Sequence, residues 1–317
     1  MNAGPETVPA AVPVIETRQL TKTYDGETVI NAVTFSAQKG SVHAIAGPNG
    51  AGKTTLLKMM ASVLKPTHGA VRIFGQEVQD GATIRQRVHY ISPEVNLYPF
   101  FRVKDILEYA SRLYEQWDDE RSKLLVDAFS LPLKKPVRSL SLGMKMRLRV
   151  VLSLSARAEI LLMDEATNGL DPNARDQVLD LILQEVANRD VTVVMATHQL
   201  ADIERTADTV SLLVGGKLVS TNDLDQLKEE VYEVRVTAPS SSQLLTSIPG
   251  AVEFVSAGDT LTFVCTGKRA DIEVMLLERH SKPIDIRPAS LERWFQAMLR
   301  KEGVLSEKIV LPESPLV

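Results

Sequence analysis

The chain has 317 residues, of which 44% are hydrophobic, and a formal net charge of −4 at pH 7. This length predicts one large domain with a sizeable core plus a smaller domain, and the acidic balance argues against nucleic acid as the main partner. The single cysteine, Cys265, excludes an internal disulfide and favours the cytosol, and no uncharged apolar run reaches the roughly 18–20 residues that span a bilayer.

The first part of the chain alternates strand-like runs with turn signals. Residues Met1 to Pro13 are rich in Ala, Pro and Val and are expected to form a flexible tail. From Val14 the pattern is strand-like, with turns at Asp25-Gly26 and Lys39-Gly40. An apolar strand, Val42 to Ala46, runs directly into a Gly-rich segment, and the residues after that segment are typical of a helix.

The middle of the chain combines helices with buried strands. Helical periodicity dominates from about 92 to 151. Continuous apolar runs at Ile160 to Met163 and Val191 to Ala196 predict buried strands of a parallel sheet that is covered on both faces. We therefore expect residues 14–230 to form one α/β domain that contains a helical region.

The pattern changes after about Glu230. The run Tyr232 to Val236 alternates as a half-buried strand does, and the last helix, around Leu291 to Leu299, is strongly amphipathic. These signals predict a small α+β accessory domain over residues 231–303, followed by a loose tail at 304–317.

The Gly-rich segment fits the phosphate-binding pattern G-x-x-x-x-G-K-[ST]. Its glycines allow backbone N–H groups to face phosphate oxygens, and the following helix adds a favourable dipole. We expect Lys53 to act in catalysis by reaching the β- and γ-phosphates of ATP, and the Thr54 hydroxyl to bind Mg²⁺. The predicted nucleotide-binding residues of this segment are Gly47, Pro48, Asn49, Gly50, Ala51, Gly52, Lys53, Thr54 and Thr55.

Two acidic residues follow the apolar run that ends at Met163. Asp164 is expected at the carboxyl end of a buried strand, which is where open α/β sheets bind ligands. A carboxylate at that place can hold Mg²⁺ through water. Glu165 could polarise an attacking water, although two surface acids at the end of a strand would give the same pattern.

Over about Val14 to Glu230 the order of these elements resembles the nucleotide-binding subunit of ATP-binding cassette (ABC) transporters. The segment Leu140-Ser141-Leu142-Gly143-Met144 is similar to the family signature Leu-Ser-Gly-Gly-Gln. Asn168-Gly169-Leu170-Asp171 is similar to the loop that crosses between subunits. His198 follows an apolar strand, as the switch histidine of the family does, and Tyr24 stands where the family has an adenine-stacking aromatic.

The resemblance implies a P-loop NTPase fold, with a RecA-like core, an antiparallel β subdomain and a helical subdomain. It also implies that two copies pair head to tail, so that the signature of one closes over ATP held by the other. Ser141 and Gly143 would then face the γ-phosphate in the partner's site, with Asp171 among the nucleotide-binding residues. Glu165 would act as general base, and His198 would hold the γ-phosphate and the water in line.

The chain departs from the family pattern at four positions. Leu142 replaces the first signature glycine, and Met144 replaces the terminal glutamine. Ala166 stands where proline is common. The glutamine that joins the core to the helical region is absent, since Pro93 takes its place. One hypothesis is that the adjacent Glu94 substitutes for it.

The segments from Leu113 to Met144 and from Pro288 to Phe295 resemble bacterial exporter cassettes of the drug, antibiotic and bacteriocin-immunity type. The resemblance implies an ATPase that drives a separate membrane permease at the cytoplasmic face of the cell membrane. A soluble ABC ATPase acting on ribosomes or nucleic acid is the main alternative. A small-molecule kinase with the same phosphate loop would leave Ser141 to Met144 and His198 unexplained. The accessory domain could be regulatory or could stabilise the cassette dimer.

Overall fold

The computed structural model describes residues 13–78, 81–237, 248–257, 259–279 and 283–305. The chain divides into two units, Met1–Thr221 and Asn222–Val317. Apart from Pro13, Val304 and Leu305, the tails expected from the sequence lie outside the described residues.

The first unit combines strands and helices along its whole length. Its elements are β1 (Ile15–Tyr24), β2 (Glu27–Ala37), β3 (Val42–Ala46), α1 (Lys53–Met60), β4 (His68–Ile73), β5 (Gln76–Glu77), α2 (Gly81–Ile84), β6 (Val88–Ile91), α3 (Val103–Leu113), α4 (Asp119–Ala128), α5 (Leu142–Ser155), β7 (Ile160–Asp164), α6 (Pro172–Arg189), β8 (Thr192–Ala196), α7 (Leu200–Thr206), β9 (Thr209–Val214) and β10 (Lys217–Asp223). A 3₁₀ turn at Val137–Ser139 precedes α5.

Two sheets organise these elements. An antiparallel sheet has the order β2-β1-β4-β5, and a second sheet of six strands has the order β10-β9-β3-β8-β7-β6. In the six-stranded sheet, the neighbouring strands in the series β9-β3-β8-β7-β6 are parallel. Strands β3, β7 and β8 are buried at every residue, as their continuous apolar runs predict.

The register of the parallel strands brings three chain segments to one edge. Asp164, the last residue of β7, pairs with Ala196, the last residue of β8. Ala196 in turn pairs with Ile45, one residue before the end of β3. The segments that follow these three strands therefore start beside one another, and each carries one part of the candidate site.

Helix α1 belongs to a core that includes residues of both sheets. Its side chains Leu56, Leu57, Met59 and Met60 are at most 1% exposed and join a cluster with residues of β1, β2, β7 and β8. Burying each such side chain stabilises the fold by roughly 1.5–3 kcal/mol. This packing fixes the helix that follows the Gly-rich segment.

Buried charge connects α4 with α6. Glu185 on α6 is 2% exposed, and its carboxylate pairs with Arg121 of α4 and, at 2.7 Å, with Arg189 of α6 itself. Because a buried carboxylate without partners would be very costly, the two arginines are needed where Glu185 is buried. Helix α4, in the region predicted to be helical, is thereby joined to a helix of the core.

The second unit is a small α+β structure. Its elements are α8 (Leu224–Glu230), β11 (Val231–Thr237), β12 (Ala251–Ala257), β13 (Thr260–Thr266), α9 (Arg269–Glu278), β14 (Pro283–Pro288) and α10 (Leu291–Lys301). The strands form an antiparallel sheet in the order β12-β13-β11-β14 over a core that includes Val234, Phe263 and Ile272. This unit starts at Asn222, inside β10 and ahead of α8. In the described part of the chain no helix is long and apolar enough to cross a membrane.

Candidate nucleotide-binding site

The Gly-rich segment forms a tight loop between β3 and α1 that two of its glycines make possible. Gly52 has φ +102°, and a Cβ there would lie 2.6 Å from Ile30 Cδ1. A Cβ on Gly47 would lie 2.3 Å from the Leu213 carbonyl oxygen. Only glycine tolerates the positive φ at position 52 and the close approach of other atoms at positions 47 and 52. The loop therefore passes directly into the amino end of α1, where backbone N–H groups lack partners within the helix.

Lys53, the first residue of α1, is folded back over the loop. Its Nζ donates hydrogen bonds to the carbonyls of Gly47 at 2.8 Å and Pro48 at 3.1 Å, and it lies 3.9 Å from Glu165 Oε1. The side chain is 7% exposed. Burial lowers the pKa of Lys53, whereas the neighbouring carboxylates of Glu165 and Asp164 act in the opposite direction. The structure thus places the ammonium group between the loop and the acids at the end of β7.

The Asp164 carboxylate is buried and accepts two hydroxyl hydrogen bonds. Thr54 Oγ1 donates to Oδ1 at 3.1 Å, and the Tyr90 hydroxyl donates to Oδ2 at 2.7 Å. Burial raises the pKa of Asp164, and the bonds from Tyr90 and Thr54 lower it. The sequence predicted Mg²⁺ contacts for Thr54 and for Asp164, and the structure brings the two together. Tyr90 was missed, because a tyrosine in a strand is most simply interpreted as a core residue.

Glu165 turns the chain sharply out of β7. Its φ is +49°, in the left-handed region, and its N–H donates to the Ala196 carbonyl at 2.9 Å. A non-glycine residue in that region costs on the order of 1–3 kcal/mol and is typical of functional sites. Nδ1 of His198, on the segment after β8, lies 2.9 Å from Glu165 Oε2. The Glu165 carboxylate therefore lies 2.9 Å from His198 Nδ1 and 3.9 Å from Lys53 Nζ.

An open cavity of about 290 Å³ lies against the loop. Asn49, Gly50, Ala51, Gly52, Lys53, Thr54, Thr55, Glu165 and Val29 line it. Tyr24 is not one of these residues. The residue is 44% exposed, and Lys22 Nζ lies 4.9 Å from the ring centroid. The structure therefore presents Tyr24 on the surface and does not bring it into this cavity.

Ser141, Gly143 and Asp171 do not line the cavity at the loop between β3 and α1. Ser141 begins α5, where its Oγ accepts from the Met144 N–H at 3.2 Å, and Asp171 begins α6 by accepting from the Ala174 N–H at 2.9 Å. These are ordinary N-cap contacts. Within the described residues no hydrogen bond or ion pair joins Ser141, Gly143 or Asp171 to the loop between β3 and α1.

The segment after β6 is held from two sides. Glu94 Oε2 lies 2.9 Å from Lys58 Nζ of α1. Arg149 of α5 donates from Nη2 to the carbonyls of Pro93 at 3.2 Å and Val95 at 2.5 Å. Arg149 is 7% exposed, and burial lowers its pKa. Sequence reasoning missed Lys58 and Arg149, and the hypothesis that Glu94 substitutes for the absent glutamine stays a hypothesis.

A buried polar cluster positions the segment between β7 and α6. Asp202 of α7 is 1% exposed and accepts from Thr167 Oγ1 at 2.5 Å and from the Arg175 side chain of α6. The cluster fixes the backbone just before Asn168, because the buried Asp202 carboxylate needs its hydrogen bonds to Thr167 and Arg175. Nothing in the sequence pattern marked Thr167, Arg175 and Asp202 as neighbours.

Comparison with known proteins agrees with this geometry. The family model described as "ABC transporter" matches residues 30–168. The chain is 30% identical to the ABC transporter ATP-binding protein YtrB of Bacillus subtilis, over 90% of this chain and 97% of that protein. It is 29% identical to the Nod factor export ATP-binding protein I of Neorhizobium galegae, over 94% and 88% of the two chains.

Further relatives and solved structures point the same way. The chain is 30% identical to the daunorubicin/doxorubicin resistance ATP-binding protein DrrA of Streptomyces peucetius, over 68% of this chain and 67% of that protein. A solved structure described as the ATP binding subunit of an ABC transporter superposes with a TM-score of 0.63 at 28% identity, covering 68% of this chain and 92% of that one. The predicted P-loop fold and the family resemblance are confirmed. The chain belongs to the ATP-binding proteins of ABC transporters and is an ABC-type ATPase.

Proposed function

We propose that this chain is the ATP-hydrolysing subunit of an exporter and drives a separate membrane permease from the cytoplasmic face of the cell membrane. The observation that carries the proposal is the convergence of Lys53, Asp164, Glu165 and His198 at one edge of the parallel sheet. Phosphoryl transfer to water depends mainly on positioning and on charge stabilisation, and these four side chains supply both.

In this proposal Glu165 is the general base. The attacking water forms a bond to the γ-phosphorus, the bond to the β-phosphate oxygen breaks, and the water proton passes to the Glu165 carboxylate, leaving ADP and phosphate. His198 holds that carboxylate through Nδ1, and its other ring nitrogen is left to contact the γ-phosphate. Lys53 supplies positive charge to the β- and γ-phosphates.

The donor set at the end of β7 fits Mg²⁺. Thr54 Oγ1 and the Asp164 carboxylate lie together, and hard oxygen donors are the ligands that Mg²⁺ prefers. Among the described residues no cluster of three or more His, Cys, Asp or Glu could hold a metal. When bound at Thr54 and Asp164, Mg²⁺ would neutralise charge that develops on the phosphate oxygens.

We further propose that two copies of the chain form the working enzyme. Ser141, Gly143 and Asp171 are not among the residues that line the cavity at the chain's own phosphate loop, which supports a role at the site of a partner copy. The cassette MJ0796, 23% identical and similar in fold with a TM-score of 0.62, is described as a dimeric bacterial ABC transporter cassette. Tyr24, exposed on the surface, would stack on the adenine in the closed dimer.

The export direction rests on the relatives. One is named for resistance to daunorubicin and doxorubicin, and another for export of Nod factor. In such an arrangement the cassette contacts nucleotide and permease. The permease contacts the transported substrate and determines what is carried.

The permease assignment can be tested by purification of the tagged full chain from detergent-solubilised membranes of its native cells. We expect a membrane protein with several spans to co-purify. ATP turnover of that complex should differ from ATP turnover of the chain alone. Recovery of the chain with ribosomes or nucleic acid in a salt-sensitive manner, and with no membrane protein, would contradict the assignment.

A further inference from the structure

The Tyr90 hydroxyl contacts Asp164 at the candidate Mg²⁺ site but has no role in the hydrolysis step proposed above. Tyr90 lies on β6, where it pairs with Leu162 of β7, two residues before Asp164. Its ring packs partly buried against the core around α1. From this position the hydroxyl reaches Asp164 Oδ2 at 2.7 Å, across 74 residues of sequence.

The two oxygens of Asp164 are thereby assigned different partners. Oδ1 faces the Thr54 hydroxyl at 3.1 Å, and Oδ2 faces the Tyr90 hydroxyl at 2.7 Å. Thr54 belongs to the phosphate loop and is itself a candidate Mg²⁺ ligand. Tyr90 belongs to the strand that precedes Pro93 and Glu94, and it contacts the carboxylate from outside the loop.

We infer that Tyr90 is a positioning residue for Mg²⁺: its hydroxyl holds the Asp164 carboxylate in the orientation that binds the metal of Mg·ATP. The inference rests on the proposed function of Asp164. Partners that orient a metal ligand typically change metal affinity about 10–100-fold when they are removed. A hydrogen bond from a hydroxyl to a carboxylate is also short and strong, and the buried setting of Asp164, 3% exposed, leaves little water to replace it.

This role differs measurably from a purely structural one. If Tyr90 serves only to pack the core, its hydroxyl is irrelevant to metal, and any effect of removing it falls equally on ATP with and without Mg²⁺. If it orients Asp164, the effect appears only when Mg²⁺ is present, because Asp164 contacts the metal and not the free nucleotide.

The test uses Tyr90→Phe in the full chain, which keeps the ring and removes only the hydroxyl. Binding of a fluorescent ATP analogue is measured in EDTA and across a Mg²⁺ titration. We expect unchanged affinity in EDTA and a Mg²⁺ midpoint raised about tenfold. Thermal unfolding of the same samples reports whether the fold is kept.

Two comparisons sharpen the result. Tyr114→Phe removes the same atom from another partly buried tyrosine, on the segment after α3, and should leave the Mg²⁺ midpoint unchanged. In an Asp164→Asn background, Tyr90→Phe should add little further effect because the acceptor it orients is already altered.

Three outcomes overturn the inference. An equal Mg²⁺ midpoint in Tyr90→Phe and the unsubstituted chain would show that the hydroxyl does not orient Asp164, while leaving the proposed function in place. An equal loss of affinity in EDTA and in Mg²⁺ would assign Tyr90 a structural role only. Failure of the unsubstituted chain to bind the analogue at all would remove the proposed function and the inference with it.

Discussion

Replacing Glu165 by glutamine is expected to separate ATP hydrolysis from ATP binding. The substitution keeps the size of the side chain and an acceptor for His198 Nδ1, which lies 2.9 Å from Glu165 Oε2. It removes the carboxylate that we propose takes the proton of the attacking water. A positioned general base contributes about 10²–10⁴-fold to the rate, so turnover should fall by at least about 10²-fold.

ATP binding should survive the same change. Glu165 Oε1 lies 3.9 Å from Lys53 Nζ, and at an effective dielectric constant of about 20 two unit charges at that separation attract by about 4 kcal/mol. This attraction competes with phosphate for the lysine. Once it is removed, Lys53 keeps its contacts to the Gly47 and Pro48 carbonyls, and ATP affinity should be unchanged or higher.

The assay measures phosphate release at saturating Mg·ATP and equilibrium nucleotide binding on the same preparations. Glu108→Gln is a matched control, because Glu108 is exposed on α3 and its carboxylate pairs with Arg112 of the same helix. That variant should resemble the unsubstituted chain in both measurements. Near-normal turnover in Glu165→Gln, or loss of binding along with turnover, would remove Glu165 from the role of general base.

Three further predictions follow from the same geometry. Ser141→Ala should leave ATP affinity at the chain's own loop intact but lower turnover, which nucleotide binding and phosphate release distinguish. Glu94→Ala should reduce the free energy of unfolding by less than about 1 kcal/mol, because its pair with Lys58 is exposed. The same variant should show a smaller change in ATP turnover when the permease is present. Gly52→Ala should destabilise the chain by about 1–3 kcal/mol or more, and Gly26→Ala by less, since nothing lies within 4 Å of a Cβ at Gly26; chemical denaturation compares the two.

The sequence was sufficient for the parts of the site that depend on local pattern. Continuous apolar runs predicted β3, β7 and β8, because a strand buried on both faces needs apolar residues at successive positions. The Gly-Lys-Thr segment between a strand and a helix predicted the phosphate loop. Parallel strands have their carboxyl ends at one edge, so the meeting of Thr54 with Asp164 could be predicted as well.

The contacts that sequence reasoning missed depend on where distant side chains end. Tyr90 reaches Asp164 only because β6 and β7 are neighbours in a particular register, and an aromatic residue in a strand carries no signal for its hydroxyl. Arg149 lies in a helix whose pattern indicates burial of apolar residues, yet its guanidinium holds backbone carbonyls of another segment. Periodicity indicates which face is buried but not which polar atoms meet there.

The positive φ of Glu165 is a further feature that local pattern does not reveal. Glutamate has no preference for the left-handed region, so no propensity predicts that the chain turns at this residue. The turn depends on the N–H bond to Ala196, which exists only after β7 and β8 have paired. The direction of the carboxylate is thus a consequence of the sheet.

In the proposed dimer, each catalytic site takes its phosphate loop from one copy and its signature from the other. The most direct measurement mixes two inactive variants, Lys53→Ala, which lacks a working phosphate loop, and Ser141→Arg, which lacks a working signature. A mixed dimer combines the intact loop of the second with the intact signature of the first. Phosphate release, absent from either variant alone, should return on mixing. Mixtures that stay inactive while both variants fold and associate would show that one copy does not complete the site of the other.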